Sequence, residues 1–281
     1  MKRLPRSFTL GLERIQSGMT KQFAVLGSPI SHSKSPIIHS AAFAFLGSDA
    51  SYSRVELSED LATWVEALSA DWAGLSLTMP LKEQALALAS RADSLAIASG
   101  AANTLIREDS GWDAYNTDVF GIQKAVSGVK FRSVSVIGSG ATARSAIVAM
   151  QELDKEVLLW ARNSQSVKML SSEYGVTPVD RFYKAAAADL VISTLPAGAL
   201  DGYLDELRAK PQSTLLDVAY SPWPSKAAQT WGEAQTISGL EMLIWQAVGQ
   251  QRLFAGYGLE QPLENEKDLV KAIRLALEVA K

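Results

Sequence analysis

The sequence predicts an α/β fold in two units, and three observations carry the prediction. Short apolar runs alternate with amphipathic stretches along most of the chain, the pattern of parallel strands joined by crossover helices. Near the middle, residues 133–145 (SVSVIGSGATARS) pass from an apolar run through Gly138-x-Gly140-x-x-Ala143 into helix-forming residues. Two amphipathic stretches, 239–257 and 262–281, close the chain, and their spacing (Leu269, Ile273, Leu277) requires a surface to cover. The expected architecture is an N-terminal α/β unit, a doubly wound dinucleotide-binding unit, and C-terminal helices that return to the first.

Taken in order, residues 1–18 carry basic side chains without the apolar run of a secretory signal and read as a tail, with Met19 a plausible natural start. The first unit, 19–119, alternates strand 22–27, a helix opened by Pro36, strand 51–57, helix 61–70, strand 74–79, helix 80–90 and strand 103–107. It has no phosphate-type glycine loop, so it is assigned the substrate. A helix from Thr117 bridges to the second unit, 120–239, because 120–134 lacks a Pro/Gly-rich linker. There the glycine turn follows a strand, and further strands are expected at 156–162, 188–194 and 215–220. Gly138 allows the sharp turn, Gly140 lets a pyrophosphate approach the backbone, and Ala143 lets helix pack on strand. Residues 240–281 complete the first unit.

The end of the second strand bears on which dinucleotide is bound. An NAD site places Asp or Glu there for the ribose 2′-hydroxyl; this chain has Trp160-Ala161-Arg162-Asn163. Arg162 suits a 2′-phosphate through charge-assisted bonds and points to NADP. By itself it would read as a solvated surface arginine; the glycine fingerprint favours the cofactor reading.

Composition narrows the classes. With 281 residues, 47% apolar and 20% charged, the chain is an ordinary globular protein able to bury two cores. A formal net charge of −3 gives no footprint for nucleic acid or an anionic membrane, and no apolar run reaches the roughly 18 residues of a membrane span. The absence of cysteine excludes disulfides and thiolate chemistry and fits a cytoplasmic location; with only His32 and His39, no metal site is expected.

Polar clusters fall where turns should be. Ser33 and Ser35 precede or open the Pro36 helix; Ser35 reads equally as a helix N-cap, whereas Ser33 is a neutral donor suited to a small carboxylate. Thr78-Met79-Pro80-Leu81-Lys82 ends a strand and begins a helix with a lysine against the helix dipole. On spacing alone Lys82 is either a surface lysine or a site residue. Asn103-Thr104 and Asn116-Thr117-Asp118 open a strand and the bridging helix, and Asp118 is either a plain helix-start carboxylate or the partner of a lysine. Gln246, among apolar neighbours, reads as a satisfied core amide or a ligand contact.

Together these residues resemble the shikimate dehydrogenase family over 22–281. Its Ser-x-Ser-Pro is similar to Ser33–Pro36, its Thr-x-Pro-x-Lys to Thr78–Lys82, its Asn-Thr to Asn103-Thr104, and its Asn-Thr-Asp with a following Gly to Asn116–Asp118 and Gly121. The glycine loop and Gln246 fall in family order. The resemblance implies NADP-dependent, reversible reduction of 3-dehydroshikimate to shikimate in aromatic amino acid biosynthesis. Ser33 and Ser35 would hold the carboxylate, Thr78, Asn103 and Gln246 the ring hydroxyls, and Tyr220 would line the substrate. Lys82 and Asp118 would form the catalytic pair. NADP would be bound by Gly138, Ser139, Gly140, Ala141, Thr142 and Ala143, with Arg162, Thr194 and Gly239. Three positions depart from the pattern: Ser76 for Asn, Ala161-Arg162-Asn163 for Asn-Arg-Thr, and Tyr220-Ser221-Pro222 for Tyr-Asn-Pro. The rival readings are an NAD-using quinate/shikimate dehydrogenase and a non-catalytic sensor of the same ligands. Monomer and homodimer both stay open.

Overall fold

A computed structural model of the protein describes residues 20–207 and 209–280. The expected tail at 1–18 lies outside the described residues. The first sheet is built from β1 (Lys21–Gly27), β2 (Ala50–Glu56), β3 (Trp72–Leu77), β4 (Arg91–Ala92), β5 (Thr104–Glu108) and β6 (Gly111–Tyr115), in the order β2-β1-β3-β5-β6-β4. Its crossovers are α1 (Ser35–Leu46), α2 (Leu61–Glu66), α3 (Lys82–Leu88) and α4 (Ser94–Ser99). α5 (Thr117–Val126) leads into the second sheet, as expected for the bridging helix.

The second unit contains β7 (Val134–Ile137), α6 (Ala141–Gln151), β8 (Val157–Trp160), α7 (Ser164–Tyr174), β9 (Thr177–Pro178), α8 (Phe182–Ala185), β10 (Leu190–Ser193), β11 (Thr214–Asp217), α9 (Lys226–Trp231) and β12 (Thr236–Ser238). All its strands pair in parallel, in the order β12-β11-β10-β7-β8-β9. Read from the other edge this is the 3-2-1-4-5-6 order of a doubly wound dinucleotide fold. The order reverses between β7 and β10, and the turns after those strands flank the crevice where such folds take ligands.

The closing helices are α10 (Gly239–Phe254) and α11 (Glu266–Val279). Ile244, Ala247 and Val248 of α10 and Leu269, Ile273 and Leu277 of α11 bury against Ile38 and Ala42 of α1, so both helices return to the first unit. Met242, from the same α10, joins the second unit's core with Val119, Ile122 and Val126 of α5. α5 and α10 thus share faces with both units. They cross closely at Gly121, where a Cβ would lie 2.7 Å from the Met242 carbonyl oxygen.

Several local expectations change. The Pro36 helix begins one residue earlier, at Ser35, so Ser35 is not its N-cap; Lys34 holds that position without a side-chain bond, and Ser33 Oγ accepts the Ser35 amide. The helix expected from Pro80 starts at Lys82, with Pro80 in the preceding turn after a cis peptide bond. Asp118 is both things the sequence offered, a carboxylate in the first turn of α5 and the partner of a lysine, while Asn116 is the cap, its Oδ1 accepting the Asp118 amide. β4, α4 and β6 have no counterpart in the periodicity: two- to six-residue elements are too short to show one, and α4 depends on Asp93 accepting the Ala96 amide. The helix at 61–70 ends at Glu66, and α10 ends at Phe254 rather than 257.

Candidate active site

Register explains why residues far apart in sequence meet. β3 pairs antiparallel with β5, and β5 antiparallel with β6, so Ser76 lies opposite Thr104 and Thr104 opposite Tyr115. The C-terminal ends of β3 and β6 and the start of β5 therefore share one edge. Thr78 and Lys82 leave β3 there, Asn103 precedes β5, and Asp118 follows β6 into α5. Gly27, at the end of parallel β1, clears the space: a Cβ on it would meet the Thr78 methyl at 2.3 Å.

A cavity of about 620 Å³ opens between this edge and the second sheet. Lys82 Nζ lies 2.5 Å from Asp118 Oδ2, with both side chains largely withdrawn from solvent. Asn103 Nδ2 donates to the other Asp118 oxygen at 2.8 Å and to Gln246 Oε1 at 3.1 Å. Gln246 Nε2 donates to the Leu243 carbonyl, so its amide orientation is set. A lysine at an exposed helix start would be a weak, screened charge; a buried one in ion-pair contact is held in a single geometry.

Ser33, Ser35 and Thr78 line the same cavity as the pair. Arg54 clamps the serine loop from outside, donating through Nε and Nη2 to the Ser33 carbonyl at 3.1 and 2.8 Å. Tyr220 reaches across from the second unit. Burial pushes its phenol pKa up, the Lys34 backbone amide reaches its oxygen, and the ring stays a neutral donor. Every residue assigned to the substrate by resemblance therefore borders this one cavity.

On the cofactor side Thr142, Thr194 and Gly239 also line the cavity. Thr142 Oγ1 lies 3.4 Å from Lys82 Nζ, so the glycine-loop helix touches the buried pair. Gly138 has φ +129°, and a Cβ there would lie 2.2 Å from Thr194 Oγ1, whose hydroxyl donates to the Ile137 carbonyl. Gly140 N-caps α6 with no side-chain bond, nothing lies near where its Cβ would be, and Ala141 and Thr142 in the first turn are half-buried, so the helix start has unpaired amides with room beside Gly140. This is a cradle for phosphate oxygens, and it fits a dinucleotide. Ser139 is half-buried in the turn, and Ala143 is fully buried in the second unit's core, the helix-packing role expected of it. Arg162 is exposed two residues beyond β8, outside the cavity, with no side-chain partner among the described residues.

Gly239 has a stricter requirement than cofactor contact. A Cβ on it would fall 2.0 Å from the Val218 carbonyl oxygen, and Val218 is fixed by its amide bond to the Ser193 carbonyl. Gly239→Ala is expected to cost about 3 kcal/mol or more, since backbone cannot give way as a side chain can. Thermal denaturation checks it, and an unchanged melting temperature would refute the clash.

Sequence reasoning missed Tyr52, Gln250 and His39. Tyr52 Oη donates to Ser76 Oγ at 2.6 Å, and Gln250 lines the cavity beside Ser76. Gln250 stands four residues beyond Gln246 on α10, a helical neighbour that the sequence could have offered.

The chain resembles known proteins over nearly its whole length. Residues 25–105 match a profile for the shikimate dehydrogenase substrate binding domain, and residues 133–221 one for coenzyme F420-dependent NADP oxidoreductases. A shikimate dehydrogenase (NADP(+)) of Methanococcoides burtonii is 34% identical, over 85% of this chain and 93% of that one. The crystal structure of Mycobacterium tuberculosis shikimate dehydrogenase superposes with a TM-score of 0.80 at 38% identity, covering 92% of this chain and 99% of that one. The Thermus thermophilus enzyme, solved in complex with NADP(H) and shikimate, gives a TM-score of 0.79 at 29% identity, covering 91% and 99%. With its glycine turn, its buried lysine–aspartate pair and relatives of this identity and coverage, the chain belongs to the shikimate dehydrogenase family.

Proposed function

We propose that the protein is an NADP-dependent dehydrogenase that reversibly reduces 3-dehydroshikimate to shikimate. The observation that carries the reading is the Lys82–Asp118 pair, buried in a cavity that also reaches the glycine-loop helix through Thr142. The cofactor supplies the hydride that the ring carbonyl carbon receives. Lys82 Nζ points its proton at the carbonyl oxygen as charge builds there, and solvent restores the proton to the lysine. Asp118 holds the ammonium in place, and Asn103 and Gln246 hold the neighbouring ring hydroxyls. Thr78 bears on the same ring. Ser33 and Ser35 receive the carboxylate, and Tyr220 covers the ring from the other unit, so that water leaves the cavity as substrate enters.

Ala141, Thr142 and Ala143 offer backbone amides to the pyrophosphate beside Gly138, Ser139 and Gly140. Thr194 and Gly239 border the path toward the substrate, and Arg162 meets the 2′-phosphate. Among the described residues no helix is long and apolar enough to cross a membrane. The cytoplasmic reading is supported by the cysteine-free sequence, which suits a reducing compartment. An absorbance assay of the purified protein with shikimate or quinate against NADP or NAD tests the whole reading. Turnover of shikimate with NADP is expected; quinate oxidation with NAD as the faster reaction would replace it with the rival.

Arg162 supports a sharper expectation. Its exposure leaves the guanidinium free to meet a phosphate, and no carboxylate stands at the end of β8. Arg162→Ala should raise KM for NADP by about tenfold or more, the loss of a charge-assisted contact, and leave KM for NAD nearly unchanged. Equal loss with both cofactors would remove Arg162 from the phosphate site.

A further inference from the structure

Gln250 is 1% exposed and borders the cavity, yet the chemistry above leaves it without a task. Its amide cannot turn over. Nε2 donates to the Asn103 backbone carbonyl at 3.1 Å, an oxygen that only accepts, so Oε1 must face the other way. There it receives Ser76 Oγ–H at 3.0 Å and His39 Nε2–H at 3.1 Å. Burial holds His39 at a pKa of about 3, so the ring is neutral; its single proton sits on Nε2, and Nδ1 takes the Gln251 amide at 2.8 Å.

Two directed chains leave this amide. Toward the lysine, Nε2 also donates to Thr104 Oγ1 at 2.9 Å, and Thr104 passes its own proton to Asn103 Oδ1 at 2.8 Å. That oxygen accepts the Thr117 amide as well, so the Asn103 NH2 edge is left facing Asp118 Oδ1 and Gln246. Toward the serines, Ser76 has committed its proton to Gln250 and must accept one, which Tyr52 Oη–H supplies at 2.6 Å; the Tyr52 hydroxyl stands beside that of Ser35.

We propose that Gln250 is a positioning residue for the reaction: it sets the direction of both chains, and so holds Asn103, Asp118 and Lys82 in their reacting arrangement from beneath the substrate. This inference rests on the dehydrogenase reading above. A side chain that merely satisfied His39 would affect folding alone. One that orients Asn103 affects the chemical step, because small displacements of a proton donor from its acceptor weaken catalysis steeply.

Three variants separate the two roles: Gln250→Met, Gln250→Glu and Gln251→Met, each measured for kcat, KM for shikimate and melting temperature, with kcat expressed per folded molecule. Gln250→Met should lower kcat about 10- to 100-fold and leave KM within about threefold. Gln250→Glu keeps the acceptor oxygen for Ser76 and His39, but it can donate toward Asn103 and Thr104 only when its carboxyl is neutral, and then through a single proton. Its kcat relative to the unmutated protein should therefore recover as pH falls, a response a structural residue would not produce. Gln251→Met removes a partner of His39 alone; it should lower the melting temperature and preserve kcat. Normal kcat in Gln250→Met overturns the inference. So does an equal loss in Gln251→Met, or a Gln250→Glu ratio that does not change with pH. An unmutated protein that does not turn over shikimate overturns the function itself, and this inference with it.

Discussion

Lys82→Ala is expected to lower kcat at least ~100-fold, the usual scale for general acid–base chemistry, with KM for shikimate within a small factor. The expectation follows from geometry. Nζ meets Asp118 at 2.5 Å in the cavity lining, where its side chain is 11% exposed and that of Asp118 6%. Removing the lysine strands a carboxylate that still accepts from Asn103, and breaking a buried pair typically costs about 3–5 kcal/mol. Melting temperature must therefore be measured beside turnover. If Asp118 acts through Lys82, Asp118→Asn in the Lys82→Ala background should add little further loss of kcat, and the double variant should melt higher than Lys82→Ala. Near-normal turnover per folded molecule in Lys82→Ala would remove the catalytic assignment, and additive losses would dissolve the pair.

Acidification is expected to destabilise the protein through His39. Its ring is fully buried, stacked on Tyr52 at 4.2 Å and edged by Phe43 and Phe254, and burial lowers its pKa to about 3 from an ordinary 6.5. The depressed value sets the sign: the unfolded chain binds a proton in this range that the folded chain refuses. Stability from this group is thus complete above about pH 6.5 and is lost as pH falls toward 3, by about 1.4 kcal/mol per unit. The Asp93 and Asp217 carboxyls, raised by burial, act in the opposite sense, since the folded chain holds their protons more tightly than the unfolded one. Denaturant unfolding between about pH 7 and 5, compared between the unmutated protein and His39→Gln, measures the histidine's share, and His39→Gln should flatten the slope there. A slope unchanged by His39→Gln would show that the ring is protonated in the folded state or that other groups govern the acid limb.

Much of the fold was legible because it is written in local patterns. Apolar runs marked β1, β3, β7 and β10, helical spacing marked α10 and α11, and Gly138-x-Gly140 marked the tight turn between β7 and α6. Local pattern failed where elements are held by few residues, at β4, α4 and β6, and it left Ser35 open as a cap because an N-cap and a first helical residue differ only in which oxygen meets which amide. The site residues were legible as types: serines, a lysine, an aspartate, two amides. Resemblance supplied their grouping.

What the sequence by itself determined is therefore the alternation of strand and helix, the glycine turn, and the absence of a carboxylate where an NAD site would carry one. What only the tertiary structure decided is which polar groups touch and in which direction their protons run. β3, β5 and β6 bring Ser76, Thr104 and Tyr115 abreast by antiparallel register, and α10 lowers Gln246 and Gln250 onto them from the far end of the chain. The reason is physical: periodicity reports which face of an element is apolar, but a hydrogen bond depends on angstrom-scale distance and on the lone pairs left by every other bond, and those are set by packing between segments more than a hundred residues apart.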